Sequence, residues 1–598
     1  MQLKRLIAKF SLPLLEKELT EQAARRRTYI VRTLYACFLF LTALLFFYQM
    51  LEASAASPLA VLGQGRSMFA VLVGTQFAGI YLFMPAMTCG VITQEKERSS
   101  LQLLFLTRLG PWTILFEKLL GRLVPMFGFL ILSLPLLAFA YTLGGVSTEM
   151  IVSEVWLLVL ASIQMGTLAI ACSAFCRTTV GAFMGSYVIA FLMFFGPYFG
   201  WMLLYLALYT AGAEPDQILQ QFAPKVFSVQ LFPLLMFPFF GPAMLLWQSA
   251  VPGGLGALGL GIHSAIILTV SGISLLVARK CVVSRAFLPP ENLLLVFFQS
   301  LDRRKPRTAG VVLNRDPSDL PDDAPVAWRE TTKRALGRPR YLVRLLMLIE
   351  LPLLIFLTLL SVDADGVVSR ILLALTVLIA WLLATLVVSV QSATLIAGER
   401  SHQTLEVLCT TPLSGRSIVL QKFSGVRRLM LVLAVPLATL FLFENWLKLS
   451  HRGRQMGPGE NYSQTIYLVC SALSIAVYLP LTAWLALFMG LRVRTQVRAI
   501  ISSMGSSVAW CVLPFIFIVL PLSIALAGTG GTSGTIMCAQ LTSPASIVFM
   551  NEFDDNDFLK NPLLAMIFNF GFYAGATLVL RHLCLKHADR WLGRADTK

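Results

Sequence analysis

ERSHQTLEVLCTTPLS, from Glu399 to Ser414, is a polar, proline-containing segment that separates two long apolar runs of the chain. A second segment, EKERSSLQLLFLTRLG from Glu95 to Gly110, matches it without gaps at a constant spacing of 304 residues (399 − 95 = 304). The identical pairs are Glu95/Glu399, Leu101/Leu405, Leu104/Leu408, Thr107/Thr411, Leu109/Leu413, Ile114/Ile418, Lys118/Lys422 and Gly121/Gly425. The chain therefore carries an internal repeat, which has to be interpreted from its surroundings.

The repeat extends to the segment that precedes the first apolar run of each half. PLLEKELTEQAARRRTYIVRTL from Pro13 aligns with PVAWRETTKRALGRPRYLVRLL from Pro325. The shared residues include Pro13/Pro325, Glu18/Glu330, Thr20/Thr332, Arg26/Arg338, Tyr29/Tyr341 and Arg32/Arg344. Because both segments precede the apolar runs in the same order, the two halves are predicted to have parallel topology.

Composition places these segments in a membrane protein. The chain of 598 residues is 57% hydrophobic and 13% charged, with a mean hydropathy of +0.75, whereas soluble domains are about 25% charged. Apolar runs of about 20 residues, enough for a helix to cross a bilayer, recur about twelve times. They begin near Tyr29, Phe69, Leu119, Val155, Val180, Leu258, Leu342, Ile371, Leu429, Ile466, Ile500 and Leu563.

These patterns predict an all-α integral membrane protein of about twelve transmembrane helices, arranged as two six-helix parallel repeats. The predicted halves are residues 1–283 and 325–598, and the charged, turn-rich residues 284–324 form a cytoplasmic linker. Leu231 to Trp247 contains too many prolines for a regular span and is predicted to be re-entrant or interfacial.

The net charge of +17 is distributed in a way that indicates membrane orientation rather than nucleic-acid binding. Every second connection between runs is basic, and the alternate ones are acidic, apart from one that contains Lys448, Arg452 and Arg454. The basic connections include Arg25 to Arg27, Lys96, Lys118, Arg177 and Arg279, and the acidic ones include Glu149, Glu154, Asp363 and Asp555. The pattern predicts a multi-pass inner-membrane protein with both termini in the cytoplasm.

The repeated mixed segment has the pattern of a short amphipathic helix. Leu405, Leu408 and Cys409 fall three and four residues apart, Glu399 is interpreted as an acidic residue near the helix N-terminus, and Pro412 ends the helix. Such a helix fits a groove on a soluble partner, or it is a bare membrane-surface hairpin.

The segment before the first run is predicted to lie on the membrane. Leu3, Leu6, Ile7, Phe10 and Leu14 follow helical spacing, with basic residues off that stripe, as in an interfacial helix on an anionic leaflet. Either this helix also contacts a partner or it is a plain membrane anchor.

The run Glu-Arg/Lys, then Ser/Thr-Leu, then Leu-x-x-Thr-Pro-Leu-Ser resembles the signature of the ABC type-2 permease family, the membrane subunits of exporter-type ABC transporters. In that family the loop between spans two and three is the coupling helix that docks on the ATPase. The second copy is the closer match, since the first has Arg108 and Gly110 where Pro and Ser are usual. The resemblance implies docking residues Glu95, Leu101, Leu104, Thr107, Leu109, Glu399, Thr404, Leu405, Leu408, Thr411, Pro412 and Leu413. It also implies an amphipathic entry helix in each half, with Glu18 and Arg26 in the first and Glu330 and Arg338 in the second, and it places Glu18 and Glu330 near the ATPase.

No G-x-x-x-x-G-K-[ST] phosphate-binding loop occurs in this sequence. The chain is therefore expected not to be an enzyme and to bind no cofactor, with ATP consumed by a partner. Because two permease halves are fused here, the expected partners are two copies of a separate ABC ATPase subunit, together with membrane lipid and no nucleic acid. Export as the direction of transport follows from the resemblance.

Two other classes of protein were weighed. A secondary, ion-coupled transporter of about twelve spans would also have two six-helix halves, and it would carry ionisable residues at membrane depth. Glu350 is the best candidate for such an intramembrane polar site and His263 a weaker one. An intramembrane enzyme or metal site is disfavoured because the five histidines have no metal-ligand spacing, and the ten cysteines have the pattern of small buried hydrophobic residues.

Overall fold

The computed structural model describes residues 12–24, 26–53, 65–97, 100–106, 110–176, 178–193, 256–285, 324–330, 339–362, 367–401, 403–452, 460–493, 495–514, 542–553 and 562–594. All regular secondary structure in these ranges is helical. The predicted re-entrant segment Leu231 to Trp247, the stripe from Leu3 to Phe10, and Thr107, Leu109 and Arg338 lie outside the described residues.

The chain divides into two compact units, Met1–Asn292 and Leu293–Lys598, and the dividing point falls within the predicted linker. In the first unit the helices are α1 Pro13–Ala23, α2 Arg26–Ala53, α3 Gly65–Thr88, α4 Gly90–Glu97, α5 Leu101–Leu106, α6 Pro111–Thr142, α7 Thr148–Phe175, α8 Thr179–Met193 and α9 Gly256–Arg285.

The second unit repeats much of this order. Its helices are α10 Pro325–Trp328, α11 Pro339–Val362, α12 Val367–Ser401, α13 Thr404–Cys409, α14 Gly415–Arg452, α15 Glu460–Arg492, α16 Gln496–Pro514, α17 Pro544–Phe553, α18 Pro562–Lys586 and α19 Ala588–Leu592. The short helix predicted within the mixed segment is α13, and α5 occupies the matching place in the first unit.

Seven helical segments of the described chain are long and apolar enough to cross a bilayer, so the chain is a multi-pass membrane protein. They are Gly65–Glu97, Pro111–Thr142, Thr148–Phe175, Leu260–Ser284, Thr376–Ser401, Gly415–Leu447 and Thr465–Arg492. Arg32–Leu44 and Thr179–Met193 are shorter apolar helices. The arrangement of about twelve spans in two repeats stays a prediction.

Small residues allow helices to approach closely in both units. In the first unit, an ideal Cβ added to Gly166 of α7 would lie 2.8 Å from Met84 Cε of α3 and 3.1 Å from Leu119 Cδ1 of α6. In the second, a Cβ on Gly490 of α15 would lie 2.3 Å from the carbonyl oxygen of Ala393 in α12. Close packing of this kind is typical of membrane helices, which lack a hydrophobic driving force for association.

Candidate functional site

The end of α4, the start of α6 and helix α1, which belongs to the segment predicted to be interfacial, meet at a cluster of charged side chains. Lys118 Nζ lies 3.2 Å from Glu95 Oε1 and 3.6 Å from Glu18 Oε1, and Arg122 Nη2 lies 3.9 Å from Glu18 Oε2. Ser100, just before α5, donates a hydrogen bond to Glu95 Oε2. One lysine thus links the interfacial helix to the segment that leads into the short helix.

The second unit has an equivalent cluster at the positions that the sequence alignment pairs with the first. Lys422 Nζ of α14 lies 2.9 Å from Glu330 Oε1 and 2.8 Å from Glu399 Oε1. Thr404, the first residue of α13, donates to Glu399 Oε2, as Ser100 does to Glu95. The lysine side chain is 1% exposed here against 8% for Lys118, so the second cluster is the more deeply buried.

A second repeated contact holds the N-terminus of the interfacial helix. Glu117 precedes Lys118, and its side chain accepts hydrogen bonds from the first backbone amides of α1. Gln421 precedes Lys422 and does the same for α10. Amides in the first turn of a helix have no partner within their own helix. The bonds run from Leu14 N (2.7 Å) and Leu15 N (3.1 Å) to Glu117 Oε2, and from Val326 N (3.0 Å) and Ala327 N (3.4 Å) to Gln421 Oε1.

A third repeated contact uses the basic residue after each cluster glutamate. Lys96 Nζ donates to carbonyl oxygens at the end of α7, at 3.2 Å to Ser173 O and 3.1 Å to Cys176 O. Arg400 Nη1 donates in the same way at the end of α15, at 2.8 Å to Val493 O. Because these carbonyls lack helical partners, each cation satisfies and electrostatically favours a helix C-terminus.

The Glu-Lys and Glu-Arg pairs therefore have a physical role within the protein. Glu95 and Glu399 bind α6 and α14 through a lysine, while the neighbouring Lys96 and Arg400 bind the ends of α7 and α15. In the first unit the segment leading to the short helix is fixed to α1, α6 and α7, and in the second unit it is fixed to the end of α10, α14 and α15.

The short helices expose a face different from the one that the spacing predicted. Leu101 and Leu405 are buried against their own chain, as is Leu408. The exposed apolar side chains are Leu103 (64%) and Leu106 (83%) on α5 and Val407 (70%) on α13. Any protein that docks on these helices would meet the second set of residues.

Glu399 also differs from its predicted place. It lies in the last turn of α12 instead of at the N-terminus of α13, and the acidic residue in the first turn of α13 is Glu406. A carboxylate at a helix C-terminus is disfavoured by about 0.3–1 kcal/mol. The 2.8 Å ion pair with Lys422 offsets this in a buried site.

The remaining predicted residues divide between the surface and the interior. Leu104, Thr404, Thr411 and Leu413 are half-buried, Pro412 is exposed, and Glu330 is buried in its cluster. Arg26 is exposed and Glu18 is half-buried. The geometry thus brings Glu18 together with Glu95, and Glu330 together with Glu399, around one lysine each.

A different set of polar groups lies among the apolar helices of the first unit. Glu154 of α7 and His263 of α9 are fully buried, and neither the carboxylate oxygens nor the ring nitrogens have a hydrogen-bond partner. Glu154 was predicted in an outer connection, but α7 begins at Thr148, where the Ser147 side chain accepts a hydrogen bond from Met150 N. Glu350 of α11 is half-buried with Oε2 unpaired.

Sequence reasoning missed Lys118 and Lys422 as site residues, and also Glu117, Gln421 and Lys96. The signal was present for the lysines, since they are identical in the two repeats and each precedes a long apolar run. A cation kept in such surroundings needs an acidic partner, and the two repeated glutamates of each half were the available ones.

A scan against protein-family models found no matching family, and a search of curated proteins found no matching protein. Among the described residues, no group of three or more His, Cys, Asp or Glu side chains is placed to hold a metal ion. The repeated clusters carry charge and hydrogen bonds that fix one segment relative to others.

Proposed function

We propose that this chain is the membrane permease of an ABC transporter, formed of two fused type-2 halves and driven by a separately encoded ATPase. About twelve spans would line one translocation path, and export would be the direction of transport. The proposal rests on the sequence resemblance and on the duplicated architecture at the two short helices.

The observation that carries the proposal is the recurrence of the same contacts at α5 and α13. A Glu-Lys-Glu cluster, a capped interfacial helix and a cation on a neighbouring helix end fix each segment firmly. Each short helix nevertheless leaves apolar side chains uncovered, Leu103 and Leu106 in one and Val407 in the other. A segment that is fixed to several helices and exposes apolar side chains is suited to bind a partner and to transmit the partner's movement to those helices.

The mechanism follows from what the segments hold. ATP-driven closure of two ATPase subunits would move α5 and α13. In the first unit, this movement would be passed to α1 through Glu18, to α6 through Lys118 and to α7 through Lys96. In the second unit, it would be passed to the end of α10 through Glu330, to α14 through Lys422 and to α15 through Arg400. Rigid displacement of helix bundles is a common way of switching access between two sides of a membrane.

Purification of the tagged chain from its native membrane tests this proposal. We expect a co-purifying polypeptide that contains a G-x-x-x-x-G-K-[ST] loop. The complex should hydrolyse ATP, and the chain stripped of the partner should not. Val407→Asp and Leu106→Asp should reduce the amount of the ATPase recovered, since each places a charge in an apolar contact.

The matched control is Leu405→Asp, which changes a buried residue of the same helix and is expected to lower the unfolding temperature instead. If the Val407→Asp/Leu106→Asp double variant recovers as much ATPase as the unaltered chain, the exposed apolar side chains of α5 and α13 are not the docking surface. Failure to recover any nucleotide-binding polypeptide would contradict the proposed class.

A secondary, ion-coupled transporter is the second candidate, and Glu154 and His263 are the observation that favours it. Ionisable side chains buried among apolar helices without partners are costly and commonly mark ion or proton pathways. The Trp156 Nε1 to Ser264 Oγ bond of 2.9 Å sets the register of α7 and α9. Both helices end at the basic side of the first unit, so Glu154 and His263 lie at similar depth.

Proteoliposomes containing the pure chain separate the two candidates. A proton flux that requires no ATP and is abolished by Glu154→Gln would support the ion-coupled transporter. The absence of any gradient-driven flux, together with ATP hydrolysis by a purified complex, would support the permease.

A further inference from the structure

Arg594 contacts the segment that follows α13. Its Nε lies 3.1 Å from Cys409 O, and its Nη2 lies 2.7 Å from Cys409 O and 2.6 Å from Thr411 O. Its Nη1 also donates to Leu413 O. One guanidinium therefore satisfies three carbonyls between the end of α13 and the start of α14, a geometry that its planar set of donors permits.

Asp589 fixes the other end of the same segment. Its Oδ1 accepts a hydrogen bond of 2.8 Å from the amide of Gly415, the first residue of α14. An ideal Cβ on Gly415 would lie 2.5 Å from Asp589 Oδ1, so this approach requires glycine. Residues 410–414 are thus held between two charged side chains that come from one short stretch, Asp589 to Arg594, here called the clamp segment.

The backbone of the clamp segment brings the two charged side chains to one place. Helix α19 ends at Leu592, and Gly593 follows with a φ of +81°, a left-handed conformation that glycine adopts without strain. The amide of Arg594 then donates to Asp589 O at 3.0 Å. This cap ends the helix, and both side chains contact the segment after α13.

The clamp segment is itself anchored to the long helices of the second unit. Trp591 lies 5.6 Å from the Phe488 ring of α15, and the Arg492 guanidinium lies 5.4 Å from the Trp591 ring centroid. Arg400 Nη2, at the end of α12, donates to Trp591 O at 2.9 Å. The clamp thus links residues 410–414 to the ends of α12 and α15 by a route separate from the Lys422 cluster.

We propose that the clamp segment is a positioning element for the second docking helix, with Arg594 and Asp589 holding α13 and residues 410–414 in the conformation that the ATPase binds. The proposal rests on the proposed function for its partner, while the clamp itself is a property of this chain alone. It assigns to Asp589 and Arg594 a role that neither the repeat nor the family signature indicates.

Two readouts separate the clamp from the docking that it serves. The first is amide hydrogen exchange of residues 409–418 in the purified chain, reconstituted in lipid without any ATPase. The Gly415 amide donates directly to Asp589, and Arg594 fixes the backbone of this segment through its carbonyl oxygens, so Asp589→Ala and Arg594→Ala should both loosen the segment and speed exchange here by about tenfold or more. Arg594→Lys should resemble Arg594→Ala, because an ammonium cannot reach three carbonyls together.

Arg590→Ala is the matched control, since Arg590 belongs to the same segment and is exposed. It should leave exchange at residues 409–418 unchanged. The second readout is the amount of ATPase that co-purifies with each variant. Arg594→Ala and Asp589→Ala should reduce it several-fold at an unchanged unfolding temperature, whereas Arg590→Ala should not.

Each outcome has a separate meaning. Unchanged exchange in Arg594→Ala would overturn the clamp, whatever the partner does. Faster exchange with full ATPase recovery would overturn its positioning role. If no ATPase is recovered even with the unaltered chain, the proposed function fails, and faster exchange would still establish that the clamp orders the segment.

Discussion

Replacement of Lys422 by methionine is expected to destabilise the protein by about 3–5 kcal/mol, the cost of leaving a buried charge without its partner. Lys422 Nζ lies within 2.9 Å of one oxygen of each glutamate, and the side chains of Glu330 and Glu399 are 4% and 5% exposed. Methionine has a similar length but no charge, so the change leaves two buried carboxylates facing one another without their common cation.

The equivalent change in the first unit, Lys118→Met, is expected to cost less, about 1–2 kcal/mol. Lys118 Nζ lies farther from its partners, at 3.6 Å from Glu18 and 3.2 Å from Glu95, and these glutamate side chains are 19% and 29% exposed. Arg122 also remains 3.9 Å from Glu18 and partly replaces the lost charge. The two lysines therefore provide a matched comparison within one chain.

Thermal and denaturant unfolding of the purified chain in detergent would measure both changes. A variant with Lys422→Met, Glu330→Gln and Glu399→Gln should recover most of the stability, because it removes the uncompensated charges together. Arg416→Met, at an exposed position of the same helix, is the control. Equal destabilisation by Lys422→Met and Lys118→Met, or no recovery in the triple variant, would show that the buried charges of the Lys422 cluster do not set the cost.

Two other predictions concern helix packing and orientation. Gly490→Ala should destabilise the folded protein by about 1–3 kcal/mol, because the new Cβ would lie 2.3 Å from Ala393 O. Gly505 has open space around it, so Gly505→Ala should be neutral or slightly stabilising in the same unfolding assay. Single cysteines in a cysteine-free background should be labelled from outside the cell at position Asp555 and not at Arg304, because the basic linker is predicted to be cytoplasmic; strong external labelling at Arg304 would reverse the orientation.

The sequence alone predicted where α13 lies, because apolar spacing and a following proline are local signals, and the repeat indicated the matching place of α5. It did not predict which face of α13 is exposed. Leu405 and Leu408 form a stripe at helical spacing, and a stripe indicates only that something covers it. Here the chain itself covers both leucines, which leaves Val407 outward.

The charged contacts were partly available from the repeat. Glu18, Glu95 and Lys118 each recur in the second half, but alignment does not show that three recurring residues meet in space. The clamp segment had no repeat signal at all, since Asp589 and Arg594 act through backbone groups of residues 409–415. The clamp segment lies outside the two aligned pairs of segments, so the repeat gave no signal for Asp589 or Arg594.

Site-specific photo-crosslinking in the native membrane tests directly whether α5 and α13 contact an ATPase. A photoreactive residue would be placed at position Leu106 or Val407. The control position is Val152, which is exposed near the start of α7, at the end away from the Lys96 contact. We expect both short-helix positions to crosslink to a polypeptide with a phosphate-binding loop, and the control position not to crosslink to it. Absence of such a crosslink from both Leu106 and Val407, with gradient-driven flux by the pure chain in liposomes lacking ATP, would contradict it.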